Sequence, residues 1–202
     1  MNKNLKDGFT LIEVSILFII FITVAILIIP LSVDDVVLSK NVDKWKQAQI
    51  GFSSIPISMM NCDNYKANKP LNIQDFMSAL IKVYPLKKVV SYKIKYLNGD
   101  TPDGNYIFPE MYMTNGGATI AFNWLNQDSS KNDDVVLAKI MFDVNGKSSP
   151  NVWGKDIFGF DVYKDKILPF GTNMDDMTLE VDCSRQGTGI ACSYNYLKGI
   201  DK

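Results

Sequence analysis

Gly8-Phe9-Thr10-Leu11-Ile12-Glu13-Val14 opens the stretch whose reading decides the fold, because the chain then carries no charge as far as Val33. The twenty residues from Val14 to Val33 would span about 30 Å as a helix, the thickness of a bilayer's hydrocarbon, and are expected to cross a membrane once. Lys3 and Lys6 precede the run while Asp34 and Asp35 follow it, which puts the N-terminus in the cytoplasm and the bulk of the chain outside. Glu13 then lies just inside the apolar zone, where an ionised carboxylate costs about 2.5–3.5 kcal/mol unless it is partnered. Its partner must be a cation, and no Lys or Arg follows before Lys40.

Cleavage after Gly8 supplies that cation. It exposes the α-amino group of Phe9 one helical turn before Glu13, and in a staggered bundle of such helices the amine of one subunit meets Glu13 of its neighbour. A feature that is costly in a monomer then sets register in a polymer. A secretory signal peptide fits less well, since its apolar core is shorter and ends at small residues, whereas this run ends Pro30-Leu31-Ser32-Val33. A plain uncleaved anchor explains the length and flanking charges but leaves Glu13 without a role.

Gly8-Phe9-Thr10-Leu11-Ile12-Glu13 resembles the class III leader of the type IV pilin superfamily, which includes pilins and the pseudopilins of type II secretion. Asp7, between Lys6 and Gly8, departs from the basic residue usual beside the leader glycine. The resemblance implies that a prepilin peptidase cuts between Gly8 and Phe9 and methylates the new Phe9 amine. It implies a subunit held in the bacterial inner membrane by one pass, with its head periplasmic or extracellular, delivered by an inner-membrane assembly platform into a filament at the cell surface. Pro30 matches a helix-kinking proline common in such stalks.

The domain boundaries expected on this reading are a cleaved leader over 1–8, a membrane-spanning assembly helix over 9–33, an amphipathic continuation over 34–56 and a head over 57–202. Leu38, Val42, Trp45 and Phe52, with Val37 and Ala48 beside them, recur at three- and four-residue spacing and predict one helix from Phe9 to about Ser54. A short amphipathic helix is expected from Asn72 to Tyr84, stopped by Pro85. Ser91–Tyr96, Ala118–Trp124, Val135–Val144 and Phe158–Tyr163 read as strands bounded by turn residues. The fold class is therefore α+β, pilin-like: a long N-terminal helix packed on a small antiparallel sheet, with a C-terminal disulfide loop.

Composition narrows the function. Net charge is −1, and removing Lys3, Lys6 and Asp7 with the leader takes it to −2, which suits no general polyanion binder. Arg185 is the one arginine and there is no histidine, so triad, Cys-His and histidine-zinc chemistries lack their residues and an enzyme is not expected. Gly146-Lys147-Ser148 lacks the upstream glycine of a phosphate loop, where Met141 stands instead, and reads as a hairpin tip. Lys87, Lys88, Lys93 and Lys95 with Tyr92 and Tyr96 suit DNA less than an edge strand whose lysines face water.

Two constellations remain. Asp143, Asn145 and Asp156 offer oxygen ligands that could hold Ca²⁺, as some pseudopilin loops do, although Asn145-Gly146 is first a tight-turn signal and no cofactor is expected. Cys183 and Cys192 enclose eight residues and, in an oxidising compartment, are expected to pair; the loop resembles the C-terminal cysteine loop of pilins. Cys62 is left over, and its pairing with either stays open. The expected function is a filament subunit, with other pilins or pseudopilins as partners. The competing reading is a monomeric, membrane-tethered binding domain that never polymerises.

Overall fold

The structure, a computed structural model, describes residues 10–55, 73–125, 135–163 and 165–198, and within them all side chains except those of 28–33, 73–75 and 83. The chain divides into two compact units, Met1–Ser39 and Lys40–Lys202. Its helices are α1 (Leu11–Ser53), α2 (Ile73–Val83), α3 (Asp176–Asp182) and α4 (Cys192–Asn195). Its strands are β1 (Leu86–Val89), β2 (Glu110–Thr114), β3 (Thr119–Trp124), β4 (Ala138–Asp143), β5 (Ile157–Val162) and β6 (Ile167–Pro169).

The expected architecture is corrected at its first element. Among the described residues no helix is long and apolar enough to cross a membrane. The helix α1 continues to Ser53, and its described apolar side chains from Leu11 to Leu27 have the acid Glu13 among them. The pilin-like fold with a membrane-spanning half is therefore not what the structure has, and the single-pass location in an inner membrane falls with the span on which it rested.

In the second unit the sheet has six strands rather than a few, antiparallel throughout, in the order β1-β2-β3-β4-β5-β6. Both its faces are buried, which is why β3, β4 and β5 read as nearly continuous apolar runs instead of alternating. On one face Ile120, Phe122, Ile140, Phe142, Phe158 and Phe160 meet Trp45, Ala48 and Phe52 of α1 and Phe76 and Leu80 of α2. Trp45 stacks on Phe158 with centroids 5.1 Å apart, and its indole N–H donates to Ser193 O at 2.8 Å. On the other face Met111, Ala121, Met141 and Ile157 meet Tyr96, Phe108, Trp153, Phe170 and Ile190, which come from turns and irregular segments. Gly159 makes room there for Phe170: a Cβ on it would strike the Phe170 ring and Ile140 O.

Ser91–Tyr96, expected as a strand, is irregular apart from a bridge between Lys95 and Val152. It keeps its alternation all the same, with Tyr92, Ile94 and Tyr96 turned inward and Lys93 and Lys95 exposed.

Candidate functional site

Thr10 and Glu13 close on one another at the start of α1. The Thr10 N–H and hydroxyl each donate to Glu13 Oε2 at 2.8 Å, and the Glu13 N–H donates to Thr10 Oγ1 at 3.3 Å. This reciprocal arrangement, a threonine followed three residues later by glutamate, is a capping box that satisfies amides the helix cannot. The Thr10 backbone N–H, then its hydroxyl, hold the Glu13 carboxyl below the ordinary carboxylate range. Glu13 thus has a role within its own helix as well, through a partner three residues upstream. Glu13 Oε1 accepts no hydrogen bond among the described residues. Gly8 and Phe9 lie outside the described residues, as does Cys62; α1 is continuous through position 30, but the Pro30 side chain is not described.

From Leu11 to Leu27 the apolar residues, Ala25 excepted, are exposed on every side of the helix. Leu11 is 88% exposed, Phe21 and Leu27 each 71%, and Phe18, Ile19 and Ile26 a little less. The two hydroxyls in this stretch are already satisfied: Ser15 donates to Leu11 O at 2.8 Å, and Thr23 to Ile20 O at 2.8 Å and Ile19 O at 3.0 Å. Side chains that bond back to their own helix need no water, so the stretch can be buried without stranding a polar group.

Asp143, Asn145 and Asp156 are brought together, as the sequence suggested, where β4 turns toward β5. Their oxygens face donors. Asp156 Oδ1 accepts from Val152 N at 2.7 Å, and Oδ2 from Asn151 N at 2.8 Å and Asn145 Nδ2 at 3.2 Å. Asp143 Oδ1 accepts from Asn145 N at 3.1 Å, and Oδ2 from the Tyr92 hydroxyl at 2.6 Å. Only Asn145 Oδ1 is buried without a donor. A hard cation such as Ca²⁺ needs six to eight oxygens turned toward it, whereas these carboxylates already serve as acceptors that lock a turn; the donor set does not fit the ion. Among the described residues there is no group of three or more acidic, cysteine or histidine side chains able to hold a metal. Burial, with the neighbouring Asp156 charge, pushes the Asp143 carboxyl up to about 7, against the pull of its hydrogen bonds; burial likewise raises Asp156.

Cys183 and Cys192 form a disulfide, their Cα atoms 5.1 Å apart. The loop between them has a second clasp: Asp182 Oδ1 accepts from Thr188 N and Oγ1, at 3.0 and 2.6 Å, and Oδ2 from Ala191 N at 2.8 Å. The loop pairs in turn with Leu97 and Asn98, whose N–H groups donate to Thr188 O and Gly187 O. Most of the contacts these acids make are local, and the one drawn from a distant part of the chain, the Tyr92 hydroxyl on Asp143, had no signal in the local spacing. Thr10-x-x-Glu13 did announce the capping box.

No family model, no curated protein and no solved structure matches this chain.

Proposed function

We propose that the protein is a structural subunit of a filament of the type IV pilus or type II secretion pseudopilus kind. It is made as a precursor, cut after Gly8 by a prepilin peptidase, and joined to other subunits through the apolar stretch that begins at Leu11. The Phe9 amine of one subunit pairs with the Oε1 side of Glu13 on the next, while Oε2 stays in the capping box.

The observation that carries this reading is the all-round exposure of apolar side chains from Leu11 to Leu27, with Ser15 and Thr23 satisfied internally. A contiguous apolar surface of this kind on a soluble monomer marks a surface meant to be covered. The leader-like Gly8-Phe9-Thr10-Leu11-Ile12-Glu13 supplies the second support, since cleavage there creates a cation next to the one acid of the stretch.

The test is the mass of the chain's N-terminus in cells with and without prepilin peptidase, together with filament incorporation of Glu13→Ala. A mature chain beginning at a methylated Phe9, and loss of Glu13→Ala from sheared filaments at normal cellular levels, are the expected results. Mature protein that still begins at Met1, or incorporation of Glu13→Ala equal to the parent, overturns the reading in favour of a monomeric binding domain.

A further inference from the structure

Where β1 ends, the sheet opens. Val89 opposite Met111 is the last β1–β2 pair, and beyond it the chain from Ser91 to Ile94 makes no backbone–backbone hydrogen bond among the described residues. Pairing resumes only at Lys95, whose N–H donates to Asn151 O and whose carbonyl accepts from Trp153 N. On the β2 side, the residue before Pro109 is equally free: the Phe108 N–H has no backbone partner among the described residues. Between these segments lies a cavity of about 470 Å³, lined on its apolar side by Tyr92, Ile94, Tyr106, Ile107, Phe108 and Met111.

Two features make this more than a gap. Its walls are stiff, because Tyr106 and Phe108 are both braced by the fully buried Trp153, with ring centroids 6.2 and 6.1 Å away. Its charge has one sign, because Lys93 and Lys95 also line it, no acidic residue does, and neither ammonium has a hydrogen-bond or ion-pair partner among the described residues. Lys88, one strand turn earlier, is by contrast held by Glu110 at 2.6 Å.

We propose that this groove docks an extended, acidic peptide segment of a partner protein. The unpaired backbone of Ser91–Ile94 supplies main-chain hydrogen bonds, as a sheet edge does when it accepts an added strand. The aromatic and aliphatic lining takes an apolar side chain of the peptide, and Lys93 and Lys95 take the carboxylates flanking it. The proposal is independent of filament assembly, since every residue it uses lies in the second unit.

The probe is the blocked pentapeptide acetyl-Glu-Ile-Glu-Ile-Glu-amide, titrated into the full chain and followed by amide chemical shifts. Controls are its Gln-for-Glu analogue, the same peptide N-methylated at both isoleucines, a short DNA duplex and inorganic phosphate. Expected are saturable shifts centred on Ser91–Ile94 at millimolar peptide or below, at least tenfold weaker binding of each modified peptide, and at least tenfold loss in the Lys93→Gln/Lys95→Gln variant. Both lysines are exposed, so unchanged amide spectra elsewhere in that variant verify its fold. Absence of shifts up to several millimolar peptide, equal binding of the uncharged peptide, or tighter occupation of the same residues by DNA or phosphate each overturns the proposal.

Discussion

Trp45 and Phe18 are large aromatic residues of the same helix, yet Trp45 is fully buried and Phe18 is 65% exposed. Around Trp45 the spacing of Asn41, Trp45, Ala48, Phe52 and Ile55 leaves one buried stripe, with Val42 and Gly51 half-buried beside it and the other positions polar or exposed. Around Phe18 there is no stripe: Leu17, Phe18, Ile19, Ile20 and Phe21 point in all directions and all are exposed. A one-sided apolar pattern is solved within one chain, and an all-round pattern calls for several neighbours at once. The second unit buries its own apolar stripe, while the described apolar side chains of the first, up to Leu27, stay uncovered.

Substitutions at matched positions sharpen that contrast. Trp45→Ala should cost about 4 kcal/mol, the upper range for a buried aromatic, because it also strips Ser193 O of its donor. Phe18→Ala should change stability in urea denaturation by less than about 0.5 kcal/mol while lowering incorporation into the proposed filament. Equal effects of the two on chain stability would erase the distinction between the units.

Removing the disulfide with Cys183→Ser/Cys192→Ser should cost about 2–3 kcal/mol by the chain-entropy account of so short a loop. Amide exchange at Thr188 and Ala191 should nonetheless stay slow, since Asp182 continues to hold both; fast exchange at both would make the covalent link the only clasp.

The second unit also contains a group whose burial has a pH signature. Asp143 binds its proton more tightly folded than unfolded, so between its ordinary value near 4 and about 7 the native state holds the extra proton. Stability is therefore greatest at the acid end of that window and falls as pH rises through it, by at most about 1.4 kcal/mol per pH unit. Asp143→Asn, which stays neutral and can still accept from Asn145 N, should flatten the slope in denaturation curves taken from pH 4 to pH 8. A slope that persists would assign it to Asp156 or Asp161, both also raised by burial.

The smallest effect belongs to the helix start. Thr10→Ala removes the hydroxyl that caps the Glu13 N–H and donates to its carboxylate, leaving only the backbone bond, and should cost the local helix about 1 kcal/mol, read as faster amide exchange at Glu13 with no change in global stability.

The legible parts of this chain are those governed by local periodicity. The stripe from Val42 to Phe52, α2, and the centres of β3, β4 and β5 could be read from spacing, because each depends on neighbours a few residues away. The turn chemistry at Asn145-Gly146 was legible for the same reason. The missed elements have non-local causes. Glu110-Met-Tyr-Met-Thr114 carries no strong strand signal and becomes β2 by pairing on both edges, with β1 and with β3. The second layer, in which Trp153, Phe170 and Ile190 cover Met141 and Ala121, is built from loops whose only pattern is three-dimensional. The membrane span was over-read: among the described residues no helix is long and apolar enough to cross a membrane. Thr10-x-x-Glu13 was under-read: an acid treated as unpaired had a partner three residues upstream.

Ser15 and Thr23 spend their hydroxyls on their own helix, so neither offers a directional grip to whatever lies against it. Stems in lateral contact through such surfaces can slip past one another with little loss, because dispersion forces hardly distinguish one apolar side chain from the next. In the proposed filament the one directional contact from this stretch would then be the pairing of Glu13 with the neighbouring Phe9 amine, so a single carboxylate would hold each subunit against axial tension.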